Sequence, residues 1–313
     1  MIEFIARRVL ATIPVLAIVA VLVFLLLRLT PGDPAAILAG DAATAEQIDR
    51  IRASLGLDRS IEAQFAIWLG QVLTGDLGQS FYYRMGVATL IGQRLEPTLA
   101  LALFTLVLSV CVAVPLGVLA AWRHGGWLDR GLMAFSVGGF SVPTFVVAYL
   151  LIWLVSLKLG WLPVQGYVRF SENHLLFLKH LILPSITLSF IYIALIARVT
   201  RASVLEALGE DYIRTARAKG LPETRVLLRH ALANAAVPIA TVIGIGIAIL
   251  IGGVVVTESV YAIPGLGRLT VDAVLARDFP TIQGLILFFS FVYVMVNLLI
   301  DLSYAFLDPR IRY

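Results

Sequence analysis

Charged residues and cysteine are scarce in this sequence. Charged side chains make up 14% of its 313 residues, hydrophobic ones make up 60%, and the only cysteine, Cys111, lies inside an apolar run. A single cysteine excludes an intrachain disulfide and a cysteine metal cluster, so Cys111 is interpreted as a small packing residue. The mean hydropathy of +0.94 excludes an ordinary water-soluble domain and indicates a membrane protein.

Motifs of ATP-hydrolysing and other hydrolytic enzymes are also missing. A phosphate-cradling loop of the form GxxxxGK[ST] needs a Gly-Lys pair, and none of the three lysines follows a glycine. The sequence has no HExxH motif, no GxSxG motif and no paired carboxylates within an apolar run. We therefore expect this chain to have no catalytic residue, to bind no cofactor and to hold no metal, and a membrane-embedded enzyme is the weaker alternative.

A net charge of +4 would also suit a nucleic-acid-binding protein. The basic residues, however, follow the ends of apolar runs, which is the distribution expected of a membrane protein. We therefore expect no nucleic-acid partner.

Six apolar runs are long enough to cross a bilayer. They are Val9–Leu27, Leu99–Ala121, Leu132–Leu157, Leu181–Ala197, Ala235–Thr257 and Gln283–Phe306. The first run has 19 residues, which is longer than the core of a secretory signal and favours an uncleaved span. We expect an all-α integral membrane protein in three parts: an N-terminal span at 1–29, an extracytoplasmic helical segment at 30–98, and a core of spans 2–6 at 99–313.

The distribution of lysine and arginine sets the expected orientation. With the N-terminus in the cytoplasm, 13 of the 24 basic residues fall in the inner segments. The outer segments are about twice as long, so basic density predicts that both termini are inside. In the outer segment, Thr44 and Gln47 have the form of a capping box, and Ser60 is placed to cap a second amphipathic helix.

The second outer helix has an apolar stripe. Its members are Ile61, Phe65, Trp68, Leu69, Val72 and Leu73. Such a stripe serves either to pack the segment on the spans or to dock an extracytoplasmic partner, and packing is the commoner use.

The stretch from Glu210 to Leu232 concentrates charge between two apolar runs, with eight charged residues among 23. An apolar stripe at helical spacing precedes Gly220 and consists of Leu205, Leu208, Tyr212 and Ala216. Gly220 is placed to stop this helix, and Pro222 suits the first turn of the next. A solvated loop would need neither the glycine stop nor the apolar stripes. We therefore favour a docking element for a cytoplasmic protein.

The same stretch resembles a known family. EDYIRTARAKG followed by RHAL is typical of the B-type permease subunits of ABC importers for dipeptides, oligopeptides and nickel. Further matching pieces run from end to end: TPGDP at Thr30–Pro34, GLD at Gly56–Asp58, GDLG at Gly75–Gly78, PGLGRL at Pro264–Leu269, RDFPTIQG at Arg277–Gly284 and LDPRIR at Leu307–Arg312. The general "EAA" consensus of such loops is matched less closely. With its glycine on Gly220, only Ala216 agrees among Arg214, Thr215 and Ala216.

The resemblance implies a type I ABC importer permease fold whose cytoplasmic loop, at 198–234, docks on an ATPase. The residues implied in this coupling are Glu210, Asp211, Tyr212, Arg214, Thr215, Ala216, Arg217, Lys219, Gly220, Arg229 and His230. The implied partners are a homologous C-type permease subunit, two cytoplasmic ATPases that carry ATP and Mg, an extracytoplasmic solute-binding protein and the lipid bilayer.

The resemblance also implies a place and a cargo. The chain would lie in the cell membrane of a bacterium or archaeon, which is the inner membrane in a Gram-negative cell. There it would form half of the pathway for di- or oligopeptides, with nickel chelates, glutathione and opines as alternatives.

Helix breakers and hydroxyls suggest where solute passes. Gly138, Gly139 and Pro143 interrupt the third span, and such breaks are tolerated where they face protein or a water-filled cavity. Ser185, Ser189 and Tyr192 give the fourth span polar groups that would wet a path, although hydroxyls also bond to their own helix backbone. These six residues are the predicted translocation path.

Overall fold

The computed structural model describes residues 2–29, 35, 44–54 and 56–307, and most of these residues are helical. The helices are α1 (Ile2–Leu29), α2 (Ala45–Ser54), α3 (Ile61–Leu73), α4 (Val87–Trp122), α5 (Trp127–Ser141), α6 (Thr144–Lys158), α7 (His174–Leu208), α8 (Asp211–Ala218), α9 (Glu223–Asn234), α10 (Ala236–Val260), α11 (Leu266–Leu275) and α12 (Phe279–Leu307). Two of the matching pieces, TPGDP and all but the first residue of LDPRIR, lie outside the described residues.

The long helices carry the predicted apolar runs. Among the described residues, α1, α4, α7 and α12 are each long and apolar enough to cross a membrane. Two bent pairs, α5 with α6 and α9 with α10, raise the number of spans to six if each pair counts as one. The described residues therefore contain four to six candidate membrane spans, and the all-α class is confirmed.

Helix starts follow the local signals in the sequence. Before α2, the Thr44 N–H donates to Gln47 Oε1 at 2.9 Å and the Gln47 N–H donates to Thr44 Oγ1 at 3.4 Å. This reciprocal pair confirms the capping box. Before α3, Ser60 Oγ accepts a hydrogen bond from the Ala63 N–H at 3.4 Å, as the sequence predicts.

Two compact units make up the chain, and the larger comprises Leu95–Arg268 and Val296–Tyr313. Its core forms around α7, which packs against α5, α6 and α10. Small residues bring the helices together. A Cβ on Gly117 of α4 would lie 2.7 Å from the Ala197 carbonyl oxygen and from Thr200 Cβ, so only glycine allows this approach of α4 to α7.

The third span is broken where the sequence predicts. α5 ends at Ser141, α6 begins at Thr144, and the two helices bend by 103°. Pro143 explains the break because its ring disfavours helical angles at Val142, which has φ −92° and ψ 120°. A π-helical stretch over Ile152–Lys158 follows in α6.

A buried acid explains the PGLGRL piece. Glu258 of α10 is fully buried, and its carboxyl oxygens accept hydrogen bonds from Thr98 Oγ1 at 2.6 Å and from the Arg268 N–H at 2.9 Å. A Cβ on Gly265 would lie 2.1 Å from Glu258 Oε1, and one on Gly267 would lie 2.6 Å from the α10 backbone. The two glycines therefore make room for a carboxyl group that caps the N-terminus of α11.

The smaller unit, Ile2–Arg94 with Leu269–Met295, has a comparable centre. Asp278 precedes α12 and is fully buried. Its carboxyl oxygens accept hydrogen bonds from Ser80 Oγ at 2.5 Å, from the Phe81 N–H at 3.0 Å and from Thr281 Oγ1 at 2.6 Å. The RDFPTIQG piece is thus hydrogen-bonded to Ser80 and Phe81, which follow the GDLG piece and are far from it in sequence.

The apolar stripe of α3 packs only in part. Phe65 and Trp68 contact Phe24 of α1, with ring centroids 5.1 and 5.5 Å apart. Ile61 and Leu73 at the two ends of the stripe are exposed. Packing therefore accounts for the middle of the stripe and not for its ends.

Candidate functional site

The charged stretch forms two short helices joined by a turn, and its first helix differs from the prediction. We expected one helix through Leu208 and Tyr212, but α7 ends at Leu208 and α8 begins at Asp211, with Glu210 at its N-cap. The break at Gly209 shifts the helical register, so α8 buries Ile213 beside Ala216 and leaves Tyr212 39% exposed. The predicted stripe was wrong at Tyr212, because a pattern read across a break keeps the wrong phase.

Gly220 ends α8 in the predicted way. Its φ is +74°, the left-handed conformation that glycine adopts without strain. The Gly220 N–H donates to the Arg217 carbonyl oxygen at 2.9 Å, and the Leu221 N–H donates to the Ala216 carbonyl oxygen at 3.3 Å. These two bonds form a Schellman cap, and Leu221 packs on the apolar residues beneath.

A small apolar core lies under the turn. Its buried members are Val118, Ala121, Val204, Ala207, Ile213, Ala216, Val226, Leu227, Ala231, Ala235 and Ile239. They come from the ends of α4 and α7, from α8 and α9, and from the start of α10. The charged stretch is therefore attached to three long helices rather than suspended as a free loop.

The solvent-exposed face of the charged stretch is basic and carries one aromatic ring. Arg217 Nη2 lies 2.6 Å from Glu223 Oε1, which ties α8 to α9 across the turn. Arg214 lies 3.2 Å from Asp211 in a fully solvated pair. Burial, then the Glu210 carboxylate, raises the pKa of the Tyr212 hydroxyl. Further exposed residues here are Thr215, Lys219, Arg225, Leu228 and Arg229.

Most of the predicted coupling residues thus share one surface, which we call the coupling face: Glu210, Asp211, Tyr212, Arg214, Thr215, Arg217, Lys219, Gly220 and Arg229 are exposed. Ala216 is buried in the small core, and His230 is half-buried. An exposed set of basic and aromatic side chains on short, capped helices suits a protein partner better than a small solute.

The residues of the predicted translocation path do not share one surface. Gly138 and Pro143 are exposed near the third-span break, whereas Ser185, Ser189 and Tyr192 are buried. A Cβ on Gly139 would lie 3.1 Å from Ala194 Cβ, which indicates close packing of α5 on α7. Their role in solute passage stays a prediction.

Four buried hydroxyls were not anticipated as a group. Within the described residues, the side-chain oxygens of Thr105, Ser109, Ser185 and Thr200 have no hydrogen-bond partner. Thr105 and Ser109 lie one turn apart on α4, and Ser189 Oγ of α7 reaches the Thr105 carbonyl oxygen at 3.5 Å. The sequence signal for Thr105 and Ser109 was the four-residue spacing of small polar residues along α4.

Comparisons with known proteins agree along the whole chain. Residues 113–313 match the family described as binding-protein-dependent transport system inner membrane component, and residues 1–102 match the N-terminal part of such membrane components. A protein of Sinorhizobium fredii named as a probable peptide ABC transporter permease is 52% identical over 310 residues, which cover 99% of each chain. The glutathione transport system permease protein of Escherichia coli is 44% identical over 313 residues, which cover 100% of each chain.

A solved structure shares the fold. A chain of the MetNI methionine ABC transporter, in inward-facing conformations, superposes with a TM-score of 0.59 at 18% identity, over 70% of this chain and 96% of that one.

Proposed function

Because the chain belongs to the family of binding-protein-dependent transport system inner membrane components, we propose that it is the permease subunit through which a cell imports small peptides. The chain is a permease subunit of an ABC importer and lies in the inner membrane. The observation that carries the peptide substrate is the 52% identity to a peptide transporter permease over nearly the full length of both chains.

Glutathione, itself a tripeptide, is the second candidate substrate. It is favoured by the 44% identity to glutathione permeases over the full length of both chains. The two candidates differ in chemistry because glutathione contains a γ-linked peptide bond. A site that fits ordinary α-linked peptides would bind that bond differently.

Energy would come from outside the chain. We propose that two cytoplasmic ATPases grip the coupling face, that a homologous permease subunit completes the pathway, and that an extracytoplasmic binding protein delivers the solute. ATP and Mg would be bound by the ATPases, and both chain termini would lie in the cytoplasm. ATP binding shifts the permease between states only if the closed and open ATPases contact the coupling face differently.

The attachment of the coupling face to α4, α7 and α10 supports this role. Ile213 and Ala216 of α8 share the small core with Val118 of α4 and Val204 of α7. A force on α8 is therefore delivered to packed spans, because close-packed interiors transmit strain.

The ligand of the binding protein tests the substrate. The complex is expressed with its binding protein, and the ligand retained by that protein is identified by mass spectrometry. We expect α-linked di- or oligopeptides, and uptake of a radiolabelled dipeptide by proteoliposomes that contain the complex and ATP. Retained glutathione would favour the second candidate, and a metal held by a small chelator would contradict both.

A further inference from the structure

An acid and an arginine meet between the first turn of α5 and the end of α7, outside the coupling face. Asp129 is buried with 4% of its surface exposed. Its carboxyl oxygens accept two hydrogen bonds from Arg201, one from Nε and one from Nη2, the latter at 2.9 Å. The Gly125 N–H donates to Oδ2 at 2.9 Å, and His124 Nδ1 lies 3.1 Å from the same oxygen.

This pair is more than a surface ion pair. The guanidinium of Arg201 is itself largely buried, and it meets the carboxylate in the two-pronged geometry that fixes direction as well as distance. The Gly125 N–H, in the turn that precedes α5, also holds the Asp129 carboxylate in place. If Arg201 moves, the carboxylate can therefore move with it only if the start of α5 moves as well. Removing either partner leaves the other buried and uncompensated.

The two partners belong to elements with different tasks. Arg201 lies on α7 seven residues before its end at Leu208, and α8 of the coupling face begins at Asp211. Asp129 lies in the first turn of α5, the half of the third span that ends at the break after Ser141. The ion pair therefore joins the helix that leads into the coupling face to the helix that leads into the break.

A second tie lies farther along α5. Ser136 Oγ donates to the Ala194 carbonyl oxygen of α7 at 3.2 Å, and Gly139 allows the backbones to come close beside the same residue. With Asp129 at one end and these contacts at the other, α5 is fastened to α7 along most of its length. The next change of direction in the chain is the bend of 103° between α5 and α6.

We propose that Asp129 and Arg201 are positioning residues that make α5 move with the coupling face, so that ATPase closure is delivered to the break in the third span. The inference rests on the proposed function, since it needs an ATPase bound to the coupling face. In this proposal, the Asp129 and Arg201 pair connects the ATPases to α5, the first half of the third span.

The test measures transport per ATP rather than stability alone. Asp129→Asn, Arg201→Gln and the double variant are each assembled with the partner subunits in proteoliposomes. Uptake of a radiolabelled dipeptide loaded on the binding protein is divided by ATP hydrolysed. We expect each single variant to lower this ratio on the order of tenfold, the scale of a typical coupling between sites. The double variant should be no worse than the lower single variant, because both changes remove one shared interaction.

Arg201→Lys keeps the proposal testable if the other variants fail to assemble. Lysine keeps the charge but loses the two-pronged geometry. We expect normal assembly and an intermediate ratio. Glu46→Gln is the matched control, because it removes an exposed ion pair with Arg50 on α2 and should leave the ratio unchanged.

Three outcomes would overturn the proposal. One is a wild-type ratio in the assembled single variants, and another is a loss of assembled complex with the ratio preserved. The third is failure of every Asp129 and Arg201 variant to assemble, which would make the pair a folding requirement alone. Failure of the proposed function is seen separately, because the wild-type complex would then show no ATP-dependent uptake.

Discussion

Replacement of Gly220 by valine tests whether the cap of α8 transmits force. A Cβ at Gly220 would meet nothing within 4 Å, so we expect the cost of the substitution to come mainly from the backbone. A left-handed conformation costs a residue with a side chain about 1–2 kcal/mol, and more when the side chain is β-branched. At about 1.4 kcal/mol per factor of ten, the capped conformation loses on the order of tenfold in population.

The alternative conformation explains the expected phenotype. If valine leaves the left-handed region, the bond from the Leu221 N–H to the Ala216 carbonyl oxygen is lost and Leu221 moves off the small core. The coupling face would stay present but poorly attached. We expect the complex to assemble and to hydrolyse ATP, while dipeptide uptake per ATP falls several-fold in proteoliposomes.

Two further variants make this prediction specific. Gly160→Val is the matched control, because Gly160 also has a positive φ, +65°, and open space around it, but it lies in a turn far along the chain from the coupling face. It should leave uptake per ATP unchanged. Gly220→Asn should lie between wild type and valine, since asparagine tolerates the left-handed region. Full coupling in Gly220→Val, or an equal loss in Gly160→Val, would refute the reasoning.

Three other predictions address packing, the smaller unit and topology. Gly117→Ala should lower the free energy of unfolding of the purified protein by about 1–3 kcal/mol, because its Cβ would lie 2.7 Å from an α7 carbonyl oxygen. Gly92→Ala in the same helix meets nothing within 4 Å and should be neutral or stabilising; equal effects would contradict the packing argument. Asp278→Asn should cost about 2–3 kcal/mol, since one of three donors loses its acceptor and a charge-assisted bond is weakened, whereas an unchanged melting temperature would show that the network is dispensable. In a Cys111→Ser background, a cysteine at Arg217 should react with an impermeant maleimide only in permeabilised cells and one at Gln79 in intact cells, and the reverse pattern would invert the orientation.

Local features of the fold could be predicted from the sequence because their causes are local. The Thr44 and Gln47 pair lies within one turn of helix, and the glycine stop at Gly220 depends only on its own φ and on its neighbours. The break near Pro143 follows from the geometry of the residue before a proline. None of these depends on where the rest of the chain lies.

Interactions between distant segments could not be predicted in the same way. Arg201 and Asp129 are 72 residues apart, and Thr98 and Glu258 are 160 residues apart. The sequence does mark the acids, because Asp129 follows a Gly-Gly turn at the start of a helix and Asp278 precedes a Phe-Pro helix start. It does not name their partners, since that choice depends on how the spans pack.

The predicted register of α8 was wrong for a related reason. Gly209 closes α7 and Glu210 restarts the helix, so the apolar positions before and after the break belong to different faces. The error concerns the apolar stripe alone, and Tyr212 lies exposed on the coupling face with the other predicted coupling residues. An exposed aromatic ring among basic side chains is the kind of residue that dominates the energy of an interface.

The small core beneath the coupling face links these observations to transport. A partner shifts an equilibrium only by its differential affinity for the two states, and a loop that adapts to both states would present no such difference. Ile213 and Ala216 prevent such adaptation by holding α8 against the ends of α4 and α7. The Arg217 and Glu223 pair holds α8 to α9 in turn. An ATPase that closes on this surface would therefore be expected to move the ends of these spans with it.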